Sequence, residues 1–222
     1  MTAHQPIVPP VGAEEFVARA RARLLRSPPA HDGADDPFGD AGDHVLNPGH
    51  LPREHALKAR AAAVLVPIVS HPEGASVLLT QRAAGLRDHG DQVAFPGGKI
   101  DDLDDGPRGA ALREAEEEIG LKRSFVDIIG YLPPYLTGSG FRILPVVALV
   151  RPGFKLTINH DEVADAFETP LSFLMDEANH ERRTREWKGL QRAFYAIPFG
   201  DRNIWGVTAG IIRQLYDRVY GS

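Results

Sequence analysis

The sequence predicts an α/β fold, an α/β/α sandwich built on a mixed β-sheet. Three observations predict it. Short apolar runs of strand length alternate irregularly with segments of helical period. Pairs of such runs separated by turn residues, 63–69 with 76–81 and 184–187 with 190–197, read as hairpins and call for antiparallel pairing. Residues 205–220 form a closing amphipathic helix, with Ile211, Ile212, Leu215 and Val219 on its inward stripe. A chain of 222 residues suits one sizeable domain with an extension. We place the division at residues 1–52, an N-terminal helix and Pro/Gly/Asp-rich arm, and 53–222, the compact domain.

Composition removes several classes of function. There is no cysteine, which excludes a disulfide scaffold and any Cys-ligated zinc or iron–sulfur site. The net charge is −5 with no basic block, which argues against nucleic acid held by a phosphate-neutralising patch. No apolar run reaches membrane-spanning length, so no membrane partner is expected. The start, MTAHQPIVPPVGAEE, lacks the basic and apolar stretches of a secretory signal. These features lead us to expect a cytoplasmic protein acting on a small molecule.

Along the chain, residues 13–26 read as an amphipathic helix with Phe16, Val17, Ala20 and Leu24 on one stripe. Residues 27–50 have no apolar period and read as a loop or arm. His31 and His44 stand there among aspartates without metal-ligand spacing. The arm could serve a homodimer contact. The first hairpin ends at Gln81 and Arg82, where side chains can enter a cleft. Arg82 is a candidate phosphate ligand, because a guanidinium matches oxyanions in bidentate fashion. It could also pair with the acidic helix that follows.

That helix lies in residues 95–121, FPGGKIDDLDDGPRGAALREAEEEIGL. Pro107 suits its first turn, Asp105 or Gly106 can cap it, and Gly120 can stop it in a left-handed conformation. Leu112, Ala115 and Ile119 share the inward face. Glu114, Glu117 and Glu118 share another, while Glu116 points away. Like charges on one face repel, and Mg²⁺ or Mn²⁺, which prefer carboxylate oxygens, would offset that cost. Arg113 could orient one of the glutamates. Gly97 and Gly98 would let a backbone carbonyl approach the same ion.

Downstream, 124–131 and 142–151 read as strands, the second interrupted at Pro145 by a bulge, and 154–158 as a further short strand. Tyr135 or Phe141 could stack on an adenine or simply line the core. A helix is expected near Pro170. Trp187, Phe194 and Tyr195 should bury one face of the last hairpin.

Residues 113–121, REAEEEIGL, resemble the second half of a Nudix box. Residues 78–98, LLTQRAAGLRDHGDQVAFPGG, resemble the additional signature of the coenzyme A pyrophosphatase branch of Nudix hydrolases. The resemblance implies a Nudix-type α/β/α sandwich. It also implies metal-dependent hydrolysis of coenzyme A or acyl-CoA to (acyl-)phosphopantetheine and adenosine 3′,5′-bisphosphate. Glu114, Glu117, Glu118 and the Gly98 carbonyl would then hold Mg²⁺ or Mn²⁺. Glu117, Glu162 and Arg113 would serve the chemistry, with Glu162 or a helix glutamate as general base. Arg82 and Arg87 would bind substrate phosphates, and His89 is a weaker candidate beside them. The branch shares the longer spacing from Gly98 to Arg113. The loop acid, one of Asp101, Asp102, Asp104 and Asp105, is expected to support the loop–helix structure. The signature has a glycine directly before Gln92, where this chain carries Asp91. The competing functions are a Nudix hydrolase for another nucleoside diphosphate derivative and a non-catalytic ligand-binding module on the same fold.

Overall fold

The computed structural model describes residues 13–29, 36–86, 90–187 and 189–221. Helix α1 (Ala13–Arg23) comes first, then β1 (Ala41–Gly42) and the short helices α2 (Asp43–Leu46) and α3 (Arg53–Leu57). Two long strands form the centre of the main sheet. β2 (Arg60–His71) turns at 72–73 into β3 (Gly74–Arg82) and pairs with it antiparallel. β4 (Val93–Ala94), β5 (Gly97–Lys99) and helix α4 (Gly106–Ile119) follow. β6 (Val126–Tyr131), β7 (Tyr135–Leu136) and β8 (Phe141–Val150) come next. β8 lies parallel to β2 over its whole length, from Arg60 opposite Phe141 to Val69 opposite Val150. β9 (Val163–Pro170) adds to β3 and leads into α5 (Leu171–Leu174). A separate three-stranded sheet, β10 (Glu181–Trp187), β11 (Leu190–Phe199) and β12 (Arg202–Trp205), precedes the closing helix α6 (Val207–Val219).

Alternation along β2 divides the core in two. Val66 and Ile68 face a cluster with Phe16, Leu79, Ile211 and Leu215, under α1 and α6. Ala63, Leu65 and Val69 face a second cluster with Leu78, Ala111, Ala115 and Ile119, under α4. Helices on both faces of a sheet with parallel and antiparallel pairs make the expected mixed α/β/α sandwich. The first helix belongs to this body: Phe16 is fully buried, and Leu25 exchanges backbone hydrogen bonds with Tyr131. Among the described residues, no helix is long and apolar enough to cross a membrane.

The site is set up where β2 changes partner. Its last residues pair with β3, but Ala62–Val64 pair with β5, and the Leu65 N–H donates to the Pro96 carbonyl between the two. Gly97 can turn there because its φ is 155° and a Cβ would strike the Ala63 carbonyl. The acidic helix behaves as its sequence requires at its C-terminus. Gly120 is left-handed at φ 68°, and the Gly120 and Leu121 N–H groups return to the carbonyls of Glu116 and Ala115. At the N-terminus Asp105 holds the cap position without a side-chain cap bond.

Several expectations need correction. Residues 154–158 do not form a strand. Phe154, Leu156 and Ile158 do pack inward, but the Thr157 and Asn159 N–H groups donate to Ile119 and Glu118 carbonyls at the end of α4. The period-2 pattern is therefore real, while the backbone bonds go to a helix terminus and not to a sheet. Pro145 causes no bulge, since β2 pairs with β8 without a break there. The irregularity lies in the partner strand, between Ile128 and Gly130. β9 fills a region read only as a turn and a helix start. Trp187 is 50% exposed and does not bury a sheet face.

Candidate active site

Helix α4 and the Gly97–Gly98 corner meet directly. Glu118 is 3% exposed, and its carboxylate accepts the Gly97 N–H at 3.1 Å. Burial pushes its pKa up to about 8, partly opposed by that hydrogen bond and by Arg82, and aided by Glu114 and Glu162. Glu114 lies against Gly98 so closely that a Cβ at Gly98 would collide with its carboxylate. Burial raises the Glu114 pKa too, against the pull of Arg113. Glu117 sits at the exposed edge of the same face. Glu116 points away and faces Arg123 at 3.5 Å.

Arg113 is the hub of this cluster. Its Nε and Nη2 each donate to Asp104 at 2.9 Å, a bidentate pair. Nη1 reaches Glu114 at 2.9 Å and Glu117 at 3.1 Å, and Nη2 also donates to the Lys99 carbonyl. These hydrogen bonds raise the Arg113 pKa and hold the Asp104 carboxyl below its usual range. Of the four loop acids, Asp104 is therefore the one locked to the helix. Its side chain is 6% exposed, against 67% for Asp101.

Glu162 comes from outside the helix, yet the chain delivers it to the same place. Asn159 is tied to the Glu118 carbonyl, the Asn159 carbonyl receives the Glu162 N–H, and the Ala83 N–H donates to the Glu162 carbonyl beside Arg82. The Glu162 carboxylate accepts from Asn159 Nδ2 at 3.1 Å, and its charge is felt at both Glu114 and Glu118. Arg82 also acts on Glu118, while its buried Nε has no hydrogen-bond partner. Arg87 and His89 lie outside the described residues, as does His31. Among the described residues, no three acidic or histidine side chains stand close enough together to form a ready-made metal cluster. Arg113 draws Glu114 and Glu117 to itself. The donor set still suits a hard divalent cation: it is all oxygen, it includes a buried carboxylate of raised pKa, and the bare Cα of Gly98 leaves space beside Glu114.

A cavity of about 870 Å³ opens from this corner. Gly97, Gly98, Arg82, Phe95 and Val64 line one part of it; Trp187, Arg192, Phe194 and Trp205 line another. The arm closes it. Buried Asn47 donates to the Ala193 carbonyl at 2.9 Å and accepts the Ala193 N–H at 2.7 Å, which ties α2 to β11. Of the two aromatic candidates, Tyr135 is buried in the core, donates to Asp43 and is kept from ionising by burial. Phe141 does line the cavity, with the Arg60 guanidinium 4.1 Å above its ring.

Sequence reasoning missed Arg60, Arg185 and Arg192, which line the cavity. A signal for the last two was present. Strands read as a hairpin closing between Trp187 and Leu190 share a register that sets Arg185 opposite Arg192.

The model of the NUDIX domain matches residues 59–192 of the chain. A protein of Cronobacter sakazakii named uncharacterized Nudix hydrolase NudL is 43% identical over 160 residues, 72% of this chain and 83% of its own length. The protein of that name from Escherichia coli K12 is 42% identical over 159 residues, 72% and 82% of the two chains. A crystal structure of a Nudix hydrolase from M. smegmatis, RenU, covers 53% of this chain and 74% of its own at 25% identity, with a TM-score of 0.46.

Proposed function

The chain belongs to the Nudix family and is a phosphoanhydride hydrolase, and we propose that it cleaves the diphosphate of coenzyme A or an acyl-CoA. The products are (acyl-)phosphopantetheine and adenosine 3′,5′-bisphosphate. The observation that carries this reading is the cavity. It is large, it borders the Gly97–Gly98 corner against which Glu114 and Glu118 pack, and among the described residues five Lys/Arg side chains line it against one carboxylate, Asp43. A chain of net charge −5 has thus gathered cations where a polyanionic ligand with an aromatic base would lie. The 78–98 signature supports the same substrate.

Glu114, Glu117, Glu118 and the Gly98 carbonyl are the groups that would hold Mg²⁺ or Mn²⁺. The ion, when bound, supplies charge neutralisation of the diphosphate and a water of lowered pKa. Arg113 positions Glu114 and Glu117 and keeps their charge from repelling the substrate. Arg82, with an unused Nε at the cavity wall, grips a diphosphate oxygen. Glu162 or Glu117 takes the proton from the attacking water. The water oxygen bonds to one phosphorus, the bridging P–O bond breaks, and the leaving phosphate departs with its electron pair.

The test is product analysis after incubation with coenzyme A and Mg²⁺ or Mn²⁺. Phosphopantetheine and adenosine 3′,5′-bisphosphate in equal amounts are expected. Turnover of another nucleoside diphosphate derivative with coenzyme A left intact would refute the substrate assignment. No hydrolysis of any such compound with either ion would favour a binding module.

A further inference from the structure

The hairpin wall of the cavity carries a feature that diphosphate cleavage does not use. Arg185 and Arg192 are directly opposed in the β10–β11 ladder, so both side chains leave the same face of the sheet, and both line the cavity. Like charges directly opposite on adjacent strands are destabilising. Among the described residues neither arginine has a carboxylate partner, and the Arg192 Nε is buried without a hydrogen bond. The acid on this wall is already engaged. Asp43 accepts from the Tyr135 hydroxyl with one oxygen and from the Gly138 N–H with the other. Aromatic rings flank the pair along the same face: Trp187 towards the hairpin tip, and Phe194, packed edge-on against Trp205, towards its base.

We propose that Arg185 and Arg192 together bind a phosphomonoester of the ligand, separate from the diphosphate that is cut. A terminal phosphate dianion removes the repulsion between two facing guanidiniums and satisfies their donors in forked geometry. The diphosphate does not need them, because Arg82 and the carboxylate corner occupy a different wall. In the proposed substrate the matching group is the 3′-phosphate of the adenosine half, with its adenine free to lie on Trp187 or Phe194. This assignment rests on the coenzyme A reading for the identity of the ligand. The anion site itself can be measured without it.

The experiment compares kcat/KM for coenzyme A and 3′-dephospho-coenzyme A in the wild type, Arg185→Gln, Arg192→Gln and the double variant. Arg182→Gln, whose side chain leaves the other face of β10, is the control. The wild type should prefer coenzyme A, and each single variant should lose roughly ten-fold or more on coenzyme A with little change on the dephospho compound. Equal losses on both compounds, or no loss on either, would overturn the proposal. Titration with adenosine 3′,5′-bisphosphate separates the two readings. If the wild type binds it and the double variant binds it at least roughly ten-fold more weakly, the anion site stands even where coenzyme A is not hydrolysed. Equal binding by both, or none by the wild type, removes the site whatever the substrate proves to be.

Discussion

Two walls of the candidate site, the α4 corner that borders the cavity at Gly97 and Gly98 and the hairpin that lines it, handle charge in opposite ways. On the α4 wall nearly every charge has a partner within the chain. Arg113 alone reaches Asp104, Glu114, Glu117 and the Lys99 carbonyl, and Glu118 accepts the Gly97 N–H. On the hairpin wall Arg185 and Arg192 face each other, and among the described residues neither forms an ion pair. The first wall is held in place before any ligand arrives, as a site for bond cleavage must be, since misplacement of reacting groups by an ångström is costly. The second stores an unfavourable arrangement that a ligand anion relieves, which suits selection among substrates. In the proposed reading, one wall governs how fast the bond breaks, and the other governs which molecule is taken.

Changes on the helix wall should therefore have the larger effect on turnover. Glu118→Gln keeps the size and the Gly97 contact but removes the charge, and it should lower kcat by several powers of ten. Near-normal turnover would break the assignment of this wall to chemistry. The same variant has a signature in stability. Burial holds the Glu118 carboxyl near 8 in the folded chain against an ordinary 4.5. Between those values the folded chain keeps a proton that the unfolded chain has lost. This contribution to stability is full below about pH 4.5 and disappears as the pH rises through about 8. In chelator-treated protein, the melting temperature of Glu118→Gln should gain on that of the wild type as the pH is raised across this window. A constant difference between the two would show that the carboxyl is not held high by its surroundings.

The smallest effect belongs to the residues just before β4. Asp91 sits there at φ 60°, in left-handed backbone. This is the position at which the resembling signature has glycine, and Asp91 takes up a conformation that glycine adopts without a Cβ penalty. Asp91→Gly should raise stability in denaturant by up to about 1 kcal/mol. A loss of stability would mean that the aspartate side chain contributes more than its backbone strain costs.

Local pattern made much of this molecule legible. Helical period placed Glu114, Glu117 and Glu118 on one face and turned Glu116 away. The Gly120 stop and the inward stripe of α6 followed from the same kind of reasoning. Features created by contacts between distant segments were not legible. The five-contact role of Arg113 depends on a loop that brings Asp104 and the Lys99 carbonyl to it. β9 carries two acidic residues and a proline in eight, so its strand character comes from pairing with β3 and not from its composition. Residues 27–50 read as a loop or arm because they have no apolar period, yet Asn47 fastens this segment to β11 with two hydrogen bonds at the cavity rim.

The most direct measurement is the anomalous scattering of crystals soaked in Mn²⁺. The account predicts density among Glu114, Glu117, Glu118 and the Gly98 carbonyl, with Arg113 released from at least one glutamate. Crystals with no manganese at this corner, and with Arg113 still holding Glu114 and Glu117, would contradict it.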